Sequence, residues 1–506
     1  MSTEKRYCKS CAGKMKKTAQ KSQTGKYLWR CTTCKAMSVN PLFEPPTLIK
    51  DLDAERVEKK TRYLIGSSLN NAPLNSAWWE TAKVIKDTLR AQLVVIPTYY
   101  KNRAMREEGV SSSYWWPRQT KPYLAPNDLN IGKHLVVRGR VRIPHTAINP
   151  LGGMNHAGGK KSELFGHQQV AMQTVPLPHG MIPKLLHTTG TFSEPVTDPA
   201  WTAEKAGFHH SYSALFVETE GDEFWFTQVH FDGKGAYVYD RYFSPHGEQK
   251  GKKPEALVLG DLHVRFATDE TIKAADALTA KLKPKRTVYH DAHDQHVGSH
   301  HNANSPLFNI WKNAEKEFSV RDELLMLRDY LDSGDRRDTG EMIIVDSNHN
   351  RHLDQWFDRF KPGVDPVNID LYFEIGWLAV EDRIRGGDGN VLRLFLEKYG
   401  KKKITFVGPN DNLRPLDVDL TQHGDRGPNG SRGSARGFAR TGQKSIIGHG
   451  HSPCIEKGCY QGGVMGRAPY ACGYSSWLET HTVLAANGKR YQITVINGKL
   501  PPLLRK

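Results

Sequence analysis

Runs of apolar residues divide the N-terminal half of the chain into short predicted strands and one clear amphipathic helix. The first unit reads "RYLIGSSL", then a helical pattern over residues 75–91, then "QLVVIPTYY". Asn75 or Ser76 is the expected N-cap, because a short polar side chain there can accept the first free backbone N–H. Strand, helix and strand within about 40 residues predict a β-α-β unit with parallel strands.

The region that follows, up to residue 250, predicts a mixed α/β structure. Strands are expected at "HLVVRGRVRI", "SALFVETEG" and "EFWFTQVHF", with Gly- and Pro-rich loops between them. The Lys-rich stretch "GEQKGKKPEA" indicates a boundary. We therefore expect an accessory α/β domain at residues 60–250, whose role in DNA binding or oligomerisation the sequence leaves open.

Beyond residue 254, four predicted strands each end in a cluster of metal-type ligands. These stretches are "EALVLGDLH", "RTVYHDAHD", "EMIIVDSNHN" and "KSIIGHGHS". Loops after strands commonly build sites, so we expect the four ends to converge at one edge of a sheet or sandwich. Each cluster alone is weak evidence, and for Asp261 with His263, or His449 with His451, taken singly, an ordinary capping aspartate or surface histidines would be the more typical explanation. A closing β-hairpin is expected at "HTVLAANGKRYQITVING", around its Asn-Gly turn.

Length, composition and charge add expectations about the binding partner and the cellular location. A length of 506 residues allows two to four domains, and no apolar run approaches the length of a membrane span. The N-terminus lacks an apolar signal segment, so a cytoplasmic location is expected. The formal charge of +17 favours a polyanionic partner, most simply nucleic acid, although a generally basic soluble protein remains the alternative.

The N-terminal cysteines predict a structural zinc site. Cys8, Cys11, Cys31 and Cys34 form two C-x2-C pairs within a Lys-rich stretch. Four thiolates at this spacing can close a tetrahedral shell around one zinc ion and hold together a module too small for its own core. We expect a zinc ribbon at residues 1–45.

The order of the C-terminal clusters resembles the calcineurin-like metallophosphoesterase superfamily, whose motifs are GD-x-H, GD-x-x-D, GNH-D/E, an isolated His and GH-x-H. The matching stretches are "GDLH", "HDAHD", "SNHN", "TQHGDRGPNG" and "GHGH". The resemblance covers about half of the chain. It implies a β-sandwich flanked by helices at residues 254–506 and, with the preceding regions, an α/β (α+β) protein overall.

The resemblance also implies a site with two divalent ions. Asp261, His263, Asp291 and His451 would hold one ion, and Asp291 would bridge to a second ion completed by Asn348, His423 and His449. Carboxylate, amide and imidazole ligands suit manganese, which is favoured, but magnesium, iron or zinc is also compatible. A hydroxide activated by both ions would attack phosphorus.

Two further residues receive catalytic roles from the resemblance. His349 would protonate the leaving oxygen or stabilise its charge, and Asp294 would orient a ligand. Asn350 replaces the family's acidic residue after His349, which weakens the case for a carboxylate partner there. Most of the additional histidines around the second motif are expected to be solvated or to contact substrate; they are His290, His293, His296, His300 and His301.

An Arg-rich loop between the last two motifs is a candidate phosphate contact. Arg426, Arg432 and Arg436 lie in this Gly-rich stretch, and guanidinium groups pair well with phosphate. A mobile solvated loop is an equal alternative.

The order of ribbon, α/β domain and phosphoesterase also resembles large phosphoesterase proteins of tailed bacteriophages, including T5-type phages. It implies a manganese-dependent DNase that degrades host DNA in the bacterial cytoplasm, compatible with a homo-oligomer or a second phage or host partner protein. Two alternatives remain: a nucleic-acid-binding host-takeover protein with secondary phosphoesterase activity, and a phosphatase of proteins or small phosphoesters.

Overall fold

The fold is taken from a computed structural model. The residues it describes are 6, 14–22, 25–32, 37–38, 47–48, 61–100, 115–156, 159–178, 180–195, 204–205, 207–299, 305–316, 319–333, 340–363, 365–466 and 472–505. The chain divides into two compact units. The first consists of Met1–Gln173 and Lys184–Gly251, and the second of Thr174–Pro183 and Lys252–Lys506. Thr174–Pro183 thus belongs to the second unit, although it lies within residues 60–250.

Short strands dominate the first unit, with helix α1 at Ser76–Thr88. Its strands are β1 (Met15–Lys21), β2 (Tyr27–Cys31), β3 (Met37–Ser38), β4 (Thr47–Leu48), β5 (Arg62–Leu69), β6 (Gln92–Thr98), β7 (Trp115–Trp116), β8 (Leu129–Ile131), β9 (Leu135–Arg138), β10 (Ser162–Phe165), β11 (Met172–Val175, which continues into the second unit), β13 (Lys184–Thr188), β14 (Ser213–Glu220), β15 (Glu223–His230), β16 (Ala236–Val238), β17 (Arg241–Ser244) and β18 (Gly247–Lys250).

The expected β-α-β unit is confirmed. Strands β5 and β6 pair in parallel around α1, and β14 and β15 extend the sheet on the other side of β5 in antiparallel order. Asn75 is the N-cap, since its side chain accepts the N–H of Trp78 at 2.8 Å. Trp78 is fully buried against Phe192 and Phe231, which anchors the apolar face of the helix in the core.

The strand predicted at "HLVVRGRVRI" is only half right. Strand β9 stops at Arg138, and nothing after it in this stretch is a strand. Gly139 lies so close to the backbone of Asn127 that a Cβ would meet its carbonyl oxygen at 2.4 Å. The chain turns at this contact, which ends the strand.

In the second unit, helices alternate with strands before a closing hairpin. Its strands are β12 (Leu177–Pro178), β19 (Ala256–Val258), β20 (Arg286–Tyr289), β21 (Glu341–Val345), β22 (Ile404–Val407), β23 (Val418–Asp419), β24 (Lys444–Ile447), β25 (Cys454–Glu456), β26 (Cys459–Gln461), β27 (Tyr474–Ser475), β28 (Thr480–Leu484) and β29 (Arg490–Thr494). Its helices are α2 (Asp269–Leu282), α3 (Pro306–Glu315), α4 (Val320–Asp332), α5 (Asn348–Arg359), α6 (Ile369–Ile384), α7 (Val391–Tyr399) and α8 (Ala435–Ala439).

Two sheets carry the four ligand-bearing strand ends. Strands β22, β21, β20 and β19 are neighbours in parallel, and β28 and β29 continue that sheet as the antiparallel hairpin expected from the sequence. Strand β24 lies in another sheet, between β23 and β26. Because β19, β20 and β21 are adjacent and parallel, their carboxyl ends share one sheet edge.

The N-terminal zinc ribbon is outside what the structure can test. Cys8, Cys11 and Cys34 lie outside the described residues, whereas Cys31 is described and buried beside Met15. No helix among the described residues is long and apolar enough to cross a membrane.

Candidate metal centre

The predicted ligands come together at the shared end of β19, β20 and β21. Asp261 and His263 follow β19, and Asp291 follows β20. Asn348 begins α5 directly after β21, where the Ser347 side chain caps the helix by accepting the N–H of Asn350. The loop after β24 brings His449 and His451 to the same place, in contact with Asn348 and His263 respectively. The alternation of buried strand and polar loop therefore sets the positions of the ligands.

The first group of side chains has Asp261 and His263 at its centre, and both are completely buried. Nε2 of His451 lies 3.1 Å from Oδ2 of Asp261 and 3.0 Å from Nε2 of His263. Oδ2 of Asp291 approaches Nε2 of His263 at 3.7 Å. One donor atom from each of these four residues falls within 4.8 Å of the others, which is close enough to hold one ion.

The second group shares Asp291 with the first. Oδ2 of Asp291 lies 3.1 Å from Nε2 of His423. The amide oxygen of Asn348 lies 3.0 Å from that same nitrogen and 3.2 Å from Nδ1 of His449. Asp291, His423 and His449 form a further cluster that can hold an ion. The two groups thus match in membership the two ligand sets implied by the sequence resemblance, while metal binding itself stays a prediction.

Four of the predicted ligands have backbone conformations that are unfavourable for residues with a side chain. The φ angles are 43° at His263, 40° at Asp291, 68° at His449 and 54° at His451. Non-glycine residues in this left-handed region cost free energy and cluster at functional sites. The loops therefore hold strained conformations at the places where the side chains converge.

Gly448 explains how the last loop comes so close to Asp261. A Cβ on Gly448 would lie 2.1 Å from Oδ1 of Asp261 and 3.1 Å from Cβ of His290. The same close approach lets the N–H of His449 donate to Oδ2 of Asp261 at 2.7 Å. Glycine is thus required here because any larger residue would displace a carboxylate of the site.

Asp294 connects the first group to His349. Its Oδ1 accepts the Nδ1–H of His263 at 2.7 Å, which fixes the tautomer that leaves Nε2 of His263 facing His451. The same oxygen lies 3.8 Å from Nδ1 of His349, whose ring stands edge-on to that of His263. Asn350 instead supports the backbone, accepting the N–H of His293 and donating to the carbonyl of Val345. Asp294 therefore provides a carboxylate near His349 that Asn350 does not.

The electrostatics of the cluster oppose the effect of burial. Burial alone would lower the pKa of His263, but Asp294, Asp291 and Asp261 outweigh it and raise that pKa to about 9. Burial alone would raise the pKa of Asp291, yet the surrounding histidines, His423 foremost, keep it well below its usual value. The buried carboxylates thus stay ionised and attract positive charge.

The prediction for the extra histidines is wrong for two of them. His290 and His293 are completely buried rather than solvated. Nδ1 of His290 lies 3.3 Å from Nδ1 of His423, so it supports a predicted ligand from behind, and burial lowers the pKa of His290 to about 4. Nε2 of His293 contacts Oε1 of Gln295 at 2.7 Å. His296 is partly buried, and His300 and His301 lie outside the described residues.

Sequence reasoning missed Arg351, which ties two loops of the site together. Its guanidinium pairs with Asp346 at 2.6 Å and also with Asp425, two residues after His423. The sequence offered one signal for it: Arg351 lies three residues after the predicted ligand Asn348, on the same helix α5. Arg426 and Arg432 continue the loop of Asp425 and form an antiparallel bridge across it, whereas Arg436 lies on the short helix α8 rather than in the predicted loop; all three are exposed.

Comparison with known proteins gives one phage relative. The chain is 28% identical over 466 residues to Protein A1 of Escherichia phage T5, an alignment that covers 88% of this chain and 83% of that protein. No family model matches the chain, and no solved structure matches it. The similarity supports the phage origin expected from the sequence.

Proposed function

We propose that this protein is a dinuclear metal-dependent phosphodiesterase of the calcineurin-like type, and that its substrate is DNA. The observation that carries the proposal is the sharing of Asp291 between two buried groups of ligand-type side chains. A carboxylate between two sets of ligands is the arrangement that two-metal hydrolysis requires.

The residues present fit a pair of divalent cations. Oδ1 of Asp261 is buried and, within the described part of the chain, has no hydrogen-bond partner. Oδ2 of Asp291 is also buried without a hydrogen-bond partner there, although Nε2 of His423 lies 3.1 Å away. Buried polar atoms are normally satisfied by hydrogen bonds, so atoms of this kind converging on one space suit a cation. The mixture of oxygen and imidazole nitrogen favours manganese, with iron, zinc or magnesium also compatible.

Asp261, His263, Asp291 and His451 would hold one ion, and Asp291, Asn348, His423 and His449 the other. Two such ions would lower the pKa of a shared water and neutralise the charge of a phosphodiester. Asp294 orients His263 through Nδ1, and its proximity to Nδ1 of His349 leaves Nε2 of His349 for the substrate. From that atom His349, when its ring is protonated on both nitrogens, would donate a proton to the leaving oxygen.

The charge of the chain favours a nucleic acid among phosphoesters, and DNA is the nucleic acid that we propose. Its net charge is +17, and the loop and short helix after His423 carry exposed arginines at positions 426, 432 and 436. Such groups contact phosphates that flank a scissile bond in a polymer, whereas a small phosphoester offers no flanking phosphates. The relative from phage T5 is consistent with a role in phage infection, and degradation of host DNA would be such a role.

A panel of substrates tests this function. Purified full-length protein is incubated with duplex DNA, single-stranded DNA, RNA, a chromogenic phosphodiester and a chromogenic phosphomonoester, each with manganese, magnesium or zinc. We expect manganese-dependent cleavage of DNA and of the chromogenic diester, both abolished in Asp291→Asn. Intact DNA together with rapid monoester turnover would identify a phosphatase instead, and DNA binding without turnover of any ester would indicate a binding protein.

A further inference from the structure

A cavity of about 630 Å³ opens in the second unit next to the metal centre. Val464, Met465, Trp477 and Leu478 form one part of its wall, and the segment Met181–Pro183 forms another. Its volume lies in the range of pockets that bind small molecules. None of the predicted metal ligands lines this cavity.

The cavity and the metal centre share a wall. The ring of Trp477 packs against that of His451, with centroids 4.2 Å apart and planes nearly perpendicular. The N–H of Leu478 donates to the carbonyl of His451, and the N–H of Met465 donates to the carbonyl of Asp261 at 2.8 Å. The side chain of Trp477 would therefore be what separates a group in the cavity from the proposed ligand His451.

One carboxylate gives the cavity its specific chemistry. Glu479 lines the cavity, and its side chain is only 9% exposed. Its Oε1 is shielded from solvent. Nδ1 of His481 accepts the N–H of Gly260 at 3.1 Å, which places the proton of that ring on Nε2, 3.6 Å from Oε1 of Glu479. His481 therefore faces Oε1, and the other oxygen, Oε2, is left for a ligand in the cavity.

The charge of the lining residues distinguishes between a phosphate and a nucleobase as the ligand of the cavity. Glu270 and Glu479 are both in the wall, and no lysine, arginine or histidine is among its lining residues. A phosphate would be repelled there. A flat, uncharged group with N–H donors satisfies the carboxylate and packs on the apolar wall and the indole, as unstacked bases do in single-strand binding proteins.

We propose that this cavity receives an unstacked nucleobase next to the phosphodiester at the metal centre. Glu479 accepts hydrogen bonds from the base, and Trp477 provides an aromatic surface for it. Guanine fits best, because its N1–H and N2–H are adjacent donors that can both point at Oε2 of Glu479. The inference rests on the proposed function and adds a preference for one base beside the cleaved bond.

Glu479→Gln tests the pocket because it keeps the size of the side chain and replaces one acceptor by a donor. Wild type, this variant and Glu397→Gln, a control on an exposed residue of α7, are compared with manganese on two substrates. One is a chromogenic phosphodiester without a base. The other is a set of single-stranded oligonucleotides that differ only in one base, or lack that base, next to the cleaved bond.

We expect wild type and Glu397→Gln to cleave beside guanine at least 10-fold more efficiently, as kcat/KM, than beside an abasic position. Glu479→Gln should lose this preference while its turnover of the chromogenic diester stays within 2-fold of wild type. If Glu479→Gln cleaves all oligonucleotides with the wild-type pattern, the pocket proposal is overturned and the proposed function stands.

A binding measurement separates failure of the pocket from failure of the proposed function. If wild type cleaves neither substrate, the nuclease function fails, and equilibrium dialysis of guanosine with the three proteins then decides about the pocket. Guanosine binding that is present in wild type and at least 10-fold weaker in Glu479→Gln supports the proposal. Equal binding by both, or no binding by wild type, overturns it.

Discussion

Nε2 of His263 and Nε2 of His451 face each other at 3.0 Å in a buried space beside Asp261. Two imidazoles in this arrangement can share one proton or bind one cation. Three carboxylates surround them, those of Asp261, Asp291 and Asp294. A divalent cation satisfies more of these groups than a single proton can, which is the physical basis for treating the cluster as a metal centre.

The two histidines of the last loop are expected to serve different ions. His451→Ala removes a contact with Asp261 and His263, whereas His449→Ala removes one with Asn348. Isothermal titration with manganese should show two sites in wild type and one strongly weakened site in each variant. The double variant should weaken both sites. Loss of both sites in each single variant would show that the groups do not act as two separate halves.

Asp294→Asn should weaken manganese binding without removing a ligand. Asp294 fixes the tautomer of His263 through a 2.7 Å hydrogen bond, and loss of such a support typically lowers metal affinity about 10- to 100-fold. Asp329→Asn, an exposed residue of α4, is the matched control. Manganese titration of the three proteins gives the comparison, and an unchanged affinity in Asp294→Asn would remove its supporting role.

The three arginines after His423 should contribute to DNA affinity through phosphate contacts. Replacing Arg426, Arg432 and Arg436 together by alanine should weaken binding of a catalytically inactive Asp291→Asn protein to DNA. The slope of log K against log salt concentration should become shallower by about 0.9 for each lost contact on duplex DNA. Arg385→Ala, which removes an exposed arginine just after the end of α6, shows the effect of losing one positive charge elsewhere on the surface. An unchanged slope would support the solvated-loop alternative.

Buried His187 should make stability depend on pH below neutrality. Burial lowers the pKa of His187 from 6.5 to about 4, so the unfolded chain binds a proton between these values that the folded chain does not. The free energy of unfolding should therefore be highest above pH 6.5 and fall as the pH drops towards 4. His187 alone would account for roughly 3 kcal/mol of this loss.

His187→Gln isolates this contribution. Glutamine can keep a contact with Gln228, which lies 2.8 Å from Nε2 of His187, but it does not titrate. Denaturant unfolding at pH 7, 6, 5 and 4 should show a shallower decline for the variant than for wild type. Parallel curves for the two proteins would contradict the assignment, since the other buried histidines are common to both.

Local pattern was sufficient for several elements of the fold and for the convergence of the strand ends. The boundaries of β5 and the N-cap Asn75 follow from apolar periodicity and side-chain chemistry. The division of the ligands into two sets came instead from the resemblance to the metallophosphoesterase motifs, and it stays a prediction.

Tertiary packing decided what the pattern could not. His290 lies in a polar stretch yet is buried behind His423, and β9 ends early where Gly139 meets the backbone of Asn127, just before β8. The placement of β24 in a different sheet from β19 depends on strand pairing over long sequence separations. Local propensity carries no information about such pairings.

The most direct test of the central claim is anomalous diffraction from crystals of the full-length protein soaked with manganese. We predict two anomalous peaks, both adjacent to Asp291: one bordered by Asp261, His263 and His451, and the other by Asn348, His423 and His449. Crystals of Asp291→Asn soaked in the same way should show weaker peaks or none. Crystals of the wild-type protein that show no peak beside Asp291 at saturating manganese would contradict the account.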